Sequence, residues 1–322
     1  MRIATITCQN ANNHGARLQC YALVKYLQMQ GHEVEVIDYR PDYMRGVAPL
    51  FYIPKSLKGL VKLLVHLPNR IRARKRHEAF DAFSRKWIPR TKIYWSIDEL
   101  RQDPPKADVY IAGSDQIWNT TFRNGTDPGY YLDFGPDDVR RESFAASFAT
   151  EELVPSSVDF VKEHLRRFDK ITVREQSALK ILEKLGIQGE LQDDPVFMLT
   201  KEQWDEVADG TGAGEKYVLV YDFYLGDDIK KKAQEIAKEH GLKIYAICSA
   251  PLRYADKNFE CSGPETFVSL VKNASYVVSN SFHGTVFAMI YNVPFVVLNR
   301  PDGLNVRMRD LLERKGMMNC LA

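Results

Sequence analysis

Short apolar runs alternate along this chain with segments whose apolar residues recur at helical spacing, and the alternation occurs twice. Ile3 to Thr7 reads as a strand, Ala16 to Gln30 as a helix and Val34 to Ile37 as a strand. Successive parallel strands need a crossover, which a helix supplies, so such a chain closes as parallel sheets covered by helices. Further strands are expected at Val109 to Ala112, Ser143 to Ser147 and Ile171 to Val173, the last followed by a helix from Gln176 to Leu185.

Turn-forming residues then gather. Asp193-Asp194-Pro195 precedes a helix near Lys201 to Val207, and Asp209-Gly210-Thr211-Gly212-Ala213-Gly214 follows it. The alternation restarts with strands at Tyr217 to Tyr221, Lys243 to Ile247, Tyr276 to Ser279 and Phe295 to Leu298. Between and after them come helices at Asp228 to His240, Pro264 to Asn273, from Gly284, and at Leu304 to Lys315. The expected fold is α/β: two Rossmann-like doubly wound domains, residues 1–195 and 196–322, with a cleft between them. The 322 residues are enough for two ordinary cores.

One stretch departs from the pattern. Residues 50–83 mix Leu57, Leu60, Val61, Leu63, Leu64 and Leu67 with Lys55, Lys58, Lys62, Arg70, Arg72, Arg74, Lys75 and Arg76. Packed on its own domain it is a helix with a solvated charged face. As a basic amphipathic helix it would suit an anionic membrane surface.

The 44 Lys and Arg nearly balance the 42 Asp and Glu, for a formal net charge of +2. No general attraction to nucleic acid follows from such a balance. Cys8, Cys20, Cys248, Cys261 and Cys320 lie far apart, without metal-site spacing and in a number that cannot pair completely, which fits a reducing compartment. Met1 to Ile6 runs directly into the first strand without a secretory core, so the cytoplasm is the expected location.

Four segments carry chemistry-bearing residues. Asn12-Asn13-His14-Gly15-Ala16-Arg17-Leu18-Gln19 follows the first strand, where doubly wound folds bind ligands. Asn13, Gly15 and Gln19 are therefore cleft candidates, although Asn13 also suits a helix cap. The strand ending in Gly113-Ser114-Asp115-Gln116 presents a carboxylate placed to take a proton from a hydroxyl, with Ser114 and Gln116 beside it. Arg174-Glu175 ends another strand; the guanidinium can bind phosphate or carboxylate, and Glu175 can orient it. Asn280-Ser281-Phe282-His283-Gly284-Thr285 opens a helix whose free amides suit an anion, with His283 beside them as a proton donor. The other histidines have no ligand spacing, and no metal site is expected. Asp193-Asp194 reads as a domain-boundary turn in preference to a cleft pair.

Taken together, the Gly15 loop with Leu18-Gln19 and Tyr21-Ala22-Leu23, the segment Ile111 to Asn119, Ser143 to Ser147, Arg174-Glu175, Asp194-Pro195, Cys261-Ser262-Gly263-Pro264 and Ser281 to Thr285 resemble the polysaccharide pyruvyl transferase family. The resemblance runs over nearly the whole chain. It implies a GT-B-like architecture with an interdomain cleft, phosphoenolpyruvate as donor and no cofactor. The product would be a pyruvate ketal on a sugar of a capsular, exopolysaccharide or cell-wall glycan precursor. His283 would be the catalytic histidine, Asp115 a catalytic acid of the first domain, and Arg174 a donor contact, with Glu175, Asn280, Ser281, Gly284 and Thr285 around the donor. A lipid-linked acceptor would place the enzyme at the inner membrane face. Family members often carry an arginine shortly before the histidine; Ser281-Phe282 stand there in this chain. The competing readings are a GT-B-type glycosyltransferase using a nucleotide sugar and a non-catalytic glycan-binding relative.

Overall fold

The structure, a computed structural model, describes residues 1–44, 57–303 and 305–322. In chain order its first part comprises β1 (Arg2–Ile6), α1 (His14–Met29), β2 (Glu33–Tyr39), α2 (Leu57–Trp87), β3 (Arg90–Tyr94), α3 (Ile97–Gln102), β4 (Val109–Asp115), β5 (Arg140–Ala146), α4 (Val158–Leu165), β6 (Thr172–Val173), α5 (Gln176–Leu185) and β7 (Glu190–Leu191). The second comprises α6 (Lys201–Asp205), β8 (Tyr217–Tyr221), α7 (Asp227–His240), β9 (Lys243–Ala246), β10 (Lys257–Asn258), α8 (Pro264–Asn273), β11 (Tyr276–Ser279), α9 (Phe282–Tyr291), β12 (Phe295–Val297) and α10 (Val306–Arg314).

These strands form two parallel sheets, ordered β3-β2-β1-β4-β5-β6-β7 and β10-β9-β8-β11-β12. In the first, Ile3 pairs with Val34 on one side and Val109 on the other. In the second, Val277 pairs with Leu219 and Phe295. The central strands β4 and β8 are buried almost throughout, as sheets covered by helices on both faces require. Both sheets reverse strand order once, between β1 and β4 and between β8 and β11. Crevices for ligands open at the carboxyl ends of strands beside such reversals.

Helix α1 joins the two halves. Nearly every side chain from His14 to Val24 is buried, the mark of a helix enclosed on all sides. Leu18, Tyr21 and Leu23 share one apolar core with Phe267 of α8, Phe287 of α9 and Trp204 of α6. The Tyr21 ring lies 5.7 Å from Trp204, which in turn lies 4.7 Å from Phe287. Trp204 also donates from Nε1 to the carbonyl of Val196 at 3.1 Å. The apolar layer beneath the crevice is therefore continuous from one sheet to the other.

The basic stretch expected at 50–83 is helical from Leu57 as part of α2, while residues 50–56 lie outside the described residues. Phe80 and Phe83 are buried, and Arg76 donates to Asn12 O and Cys248 O, both at 3.2 Å, so the carboxyl-terminal half of α2 spans the two units. Toward its start, Val65 and Ile71 are exposed.

Where strand and helix bounds differ from the sequence reading, the cause is local. Helix α1 begins at His14 because the Asn13 side chain accepts from the amide of Ala16, and α9 begins at Phe282 because Ser281 accepts from Gly284. β5 starts at charged Arg140, earlier than expected, because the buried Arg141 guanidinium donates to the carbonyls of Leu132, Val139 and Phe134.

With one shared core, Trp204→Ala is expected to lower the free energy of unfolding by about 3 to 5 kcal/mol. Urea unfolding followed by far- and near-ultraviolet circular dichroism should show the two signals changing together. Separate transitions for the two halves would contradict the continuous core.

Candidate active site

The two strand-order reversals bring five elements to one crevice. The first unit supplies Gly15 at the start of α1, Asp115 at the end of β4, and Arg174 with Glu175 between β6 and α5. Ser281 to His283 enter from the loop after β11 into α9, and Arg307 from α10.

At the centre, Arg174 is ion-paired through NH1 with Asp194 Oδ2, both side chains essentially without solvent contact. Its NH2 reaches Asp115 Oδ1 at 3.3 Å. Arg307 NH1 approaches the same Asp115 oxygen at 3.3 Å from the opposite unit. His283 Nε2 lies 3.6 Å from Asp194 Oδ2, longer than a hydrogen bond, and has no hydrogen-bond partner among the described residues. The Phe282 ring lies beneath both guanidiniums, 4.4 Å from Arg174 and 5.8 Å from Arg307. Cations over an aromatic face are attracted by its quadrupole.

Gly15 makes the approach of His283 possible. A Cβ at residue 15 would stand 2.0 Å from His283 Nδ1, so the imidazole lies directly on the α1 backbone. Helix α10 is fixed by Gln176 N donating to Asp310 Oδ1 at 2.9 Å, and by Arg314 and Lys315 binding Asp193 at 2.7 and 3.0 Å.

Electrostatics follow from burial and pairing. Burial pushes Asp194 upward, but the Arg174 charge and His283 outweigh it and hold the carboxyl far below the ordinary range. Asp115 feels the same opposition of burial against Arg174, His283 and Arg307, and is also lowered. Burial raises Glu175 despite Arg174. Arg307 is pushed down to about 10 by burial and by the like charge of Arg174.

Several other candidates spend their polar atoms on the local framework. Asn280 donates to Asp222 Oδ1 at 2.6 Å and accepts from the amide of Phe223. Ser281 caps α9, and Thr285 Oγ1 donates to the carbonyl of Ser281. Gly284 packs against Ser279 and Tyr221, its amide taken by Ser281 Oγ. That leaves the amides of Phe282 and His283, which have no partner among the described residues. Glu175 accepts from Ser147 Oγ and from the amide of Ala149, tying down the loop after β5. Ser114 Oγ donates to Ala145 O at 2.7 Å and reaches Asp194 Oδ2 at 3.4 Å. Gln19 donates to Thr7 Oγ1 and Ala16 O, while the buried Oε1 atoms of Gln19 and Gln116 have no partner among the described residues. His14 is a packing residue, stacked on Phe267 at 5.2 Å. Among the described residues no group of His, Cys, Asp or Glu is placed to hold a metal ion.

Arg307 escaped the sequence reading, which takes Asp194 as a turn in preference to a cleft residue. Asp194 does make the expected turn, accepting from Val196 N at 3.1 Å, but its other oxygen faces Arg174 and His283. Arg307 stands one turn before Leu311, on the buried side of α10, and a charge on an apolar helix face was the available signal. It brings a second guanidinium onto the Phe282 ring.

Fold and crevice define a GT-B-like protein with its polar cluster between two doubly wound units. S. aureus MnaA, solved with UDP, shares this fold at TM-score 0.51 and 12% identity, over 99% of this chain and 88% of that one. The UDP-GlcNAc 2-epimerase from Neisseria meningitidis matches at 0.47 and 10%, over 99% and 91%. The Streptomyces sp. SF2575 glycosyltransferase SsfS6, in complex with thymidine diphosphate, matches at 0.44 and 15%, over 98% and 86%. No curated protein matches the sequence. A sequence model of the polysaccharide pyruvyl transferases matches residues 13–302, and the chain belongs to that family.

Two predictions follow from the cluster. Asp194→Asn deprives the buried Arg174 of its sealed counter-ion, leaving only Asp115 at 3.3 Å, and is expected to cost about 3 kcal/mol in chemical unfolding at neutral pH. Because the folded Asp194 is depressed, its contribution is present above the ordinary carboxylate value of about 4 and is lost as pH falls from there. The gap between wild type and variant should therefore narrow below that pH; a gap that widens would contradict the pairing. Gly15→Ala would force the buried His283 aside, so it should lower turnover by about 10²-fold and also lower the free energy of unfolding by about 1 to 3 kcal/mol. Unchanged turnover would separate His283 from the chemistry.

Proposed function

We propose that this protein transfers the pyruvyl group of phosphoenolpyruvate onto two hydroxyls of a sugar, forming a cyclic ketal on a capsular, exopolysaccharide or cell-wall glycan precursor. The observation that carries the reading is the convergence of Arg174 and Arg307 on one Asp115 oxygen, with His283 alongside. Phosphoenolpyruvate bears a phosphate and a carboxylate, and guanidiniums bind both through paired N–H groups. The unpartnered amides of Phe282 and His283 add an anion site at the start of α9.

His283 delivers a proton to the donor methylene, leaving the adjacent carbon open to attack. Asp115 accepts the proton of the first sugar hydroxyl as its oxygen bonds to that carbon. Phosphate departs with the former enol oxygen, the second hydroxyl takes its place, and its proton passes to solvent or phosphate. The former methylene becomes the methyl group of the ketal. The electrostatic part of catalysis falls to Arg174, whose position is fixed before donor arrives by Asp194.

General acid catalysis contributes typically about 10² to 10⁴ in rate, so His283→Ala should lose turnover in that range while remaining folded. Near-wild-type turnover in the folded variant would remove the assignment. The donor is tested by calorimetric titration with phosphoenolpyruvate and with a panel of nucleotide sugars. Saturable phosphoenolpyruvate binding that Arg174→Ala abolishes supports this reading; binding of a nucleotide sugar instead supports a glycosyltransferase.

A lipid-linked acceptor would fit the basic α2, whose Val65 and Ile71 are exposed. No helix among the described residues is long and apolar enough to cross a membrane, so the contact would be peripheral. Sedimentation with anionic but not with neutral vesicles is the expected result; equal binding to both, or to neither, contradicts it.

A further inference from the structure

The two guanidiniums of the crevice are unequally provided for. Arg174 has Asp194 as an ion-pair partner, sealed from solvent, and reaches Asp115 as well. Arg307 is almost as deeply buried, yet Asp115 Oδ1 at 3.3 Å is its one polar partner among the described residues, and its Nε is buried without one. A guanidinium carries five N–H donors, so most of the binding capacity of Arg307 is unused. Asp115 is correspondingly loosely held. One oxygen serves both arginines at long range, and its side chain keeps 14% exposure where that of Asp194 has 0%. Asp194 is built in as a permanent counter-ion, whereas Asp115 can be exchanged.

We propose that Arg307 recognises the second acidic group of the donor, taking its carboxylate while Arg174 and the α9 amides take the phosphate, and that in doing so it releases Asp115. The proposal rests on the donor reading above. Its physical logic is an exchange of one carboxylate for another at the same buried cation, which leaves the charge balance around Arg307 unchanged. Asp115, facing Arg174, Arg307 and His283 with Asp194 nearby, is a weak base while both guanidiniums hold it. Freed from Arg307 it becomes a stronger one, at the moment when a donor is present for the sugar to attack. An anion with phosphate alone leaves Arg307 on Asp115 and gains nothing from it. Arg307 thereby sets donor specificity and couples donor binding to the readiness of the base.

The test is calorimetric titration of the full chain with phosphoenolpyruvate and, separately, inorganic phosphate, using wild type, Arg307→Ala, Arg307→Lys, and Asp115→Asn alone and combined with Arg307→Ala. Arg307→Ala should weaken phosphoenolpyruvate by at least about tenfold while changing phosphate by less than about twofold. Arg307→Lys keeps the charge but not the fork, so it should recover part of the loss; it also serves as the folded control if the alanine variant melts early. Asp115→Asn removes the internal competitor and should tighten phosphoenolpyruvate when Arg307 is present but much less when combined with Arg307→Ala, whereas simple relief of repulsion would tighten it equally in both backgrounds. Equal losses for both probes in Arg307→Ala, or no loss, overturn the assignment and leave the donor reading standing. Wild type that binds phosphoenolpyruvate no better than phosphate removes the donor reading and this assignment with it.

Discussion

The buried pair of Arg174 and Asp194 is the interaction on which the crevice depends. An isolated guanidinium could not be held at this depth, because desolvating an unpaired charge costs several kcal/mol. With Asp194 as a fixed counter-ion, Arg174 keeps its charge, leans on Phe282 and still extends a second nitrogen toward Asp115. His283 faces the same Asp194 oxygen from the other sheet. One carboxylate thus pairs with a cation from the first unit and faces an imidazole from the second.

The fold makes that convergence possible through a core shared by the two units. Because α1 is enclosed between the units and shares its core with α8 and α9, Gly15 and His283 meet at van der Waals distance. Helix α10 is held against α5 by the Gln176 amide donating to Asp310 and against Asp193 by ion pairs, so Arg307 arrives from a braced element. Arg76 of α2 adds a third link, touching the loop after β1 and the loop after β9 together. Positioned charges in a site that excludes water act on a developing charge without having to reorganise.

Much of this was legible in the residues. The strands Tyr217–Tyr221 and Tyr276–Ser279 and the helices Gln176–Leu185 and Pro264–Asn273 match the sequence reading at both ends, since apolar periodicity and Gly or Pro punctuation coincide there. Strands of two residues, such as Glu190–Leu191 and Lys257–Asn258, carry no such pattern and exist because a neighbouring strand offers its backbone. Asp115 and Arg174 announced themselves as polar residues closing apolar strands, and His283 as one opening the helix that follows such a strand. Asp194 did not, because a turn before Pro195 already explains it, and Arg307 did not, because only tertiary packing reveals that its helix face is buried. Conversely, Asn13, Asn280 and Ser281 have the polarity of site residues but are occupied by caps and by the Asp222 turn.

A crystal structure of the protein with phosphoenolpyruvate tests most directly whether two guanidiniums hold the donor between the units. The expected result places the donor between Arg174 and Arg307, its methylene toward His283 and Asp115 parted from Arg307. Donor bound elsewhere, with Asp115 still on both arginines, would contradict it.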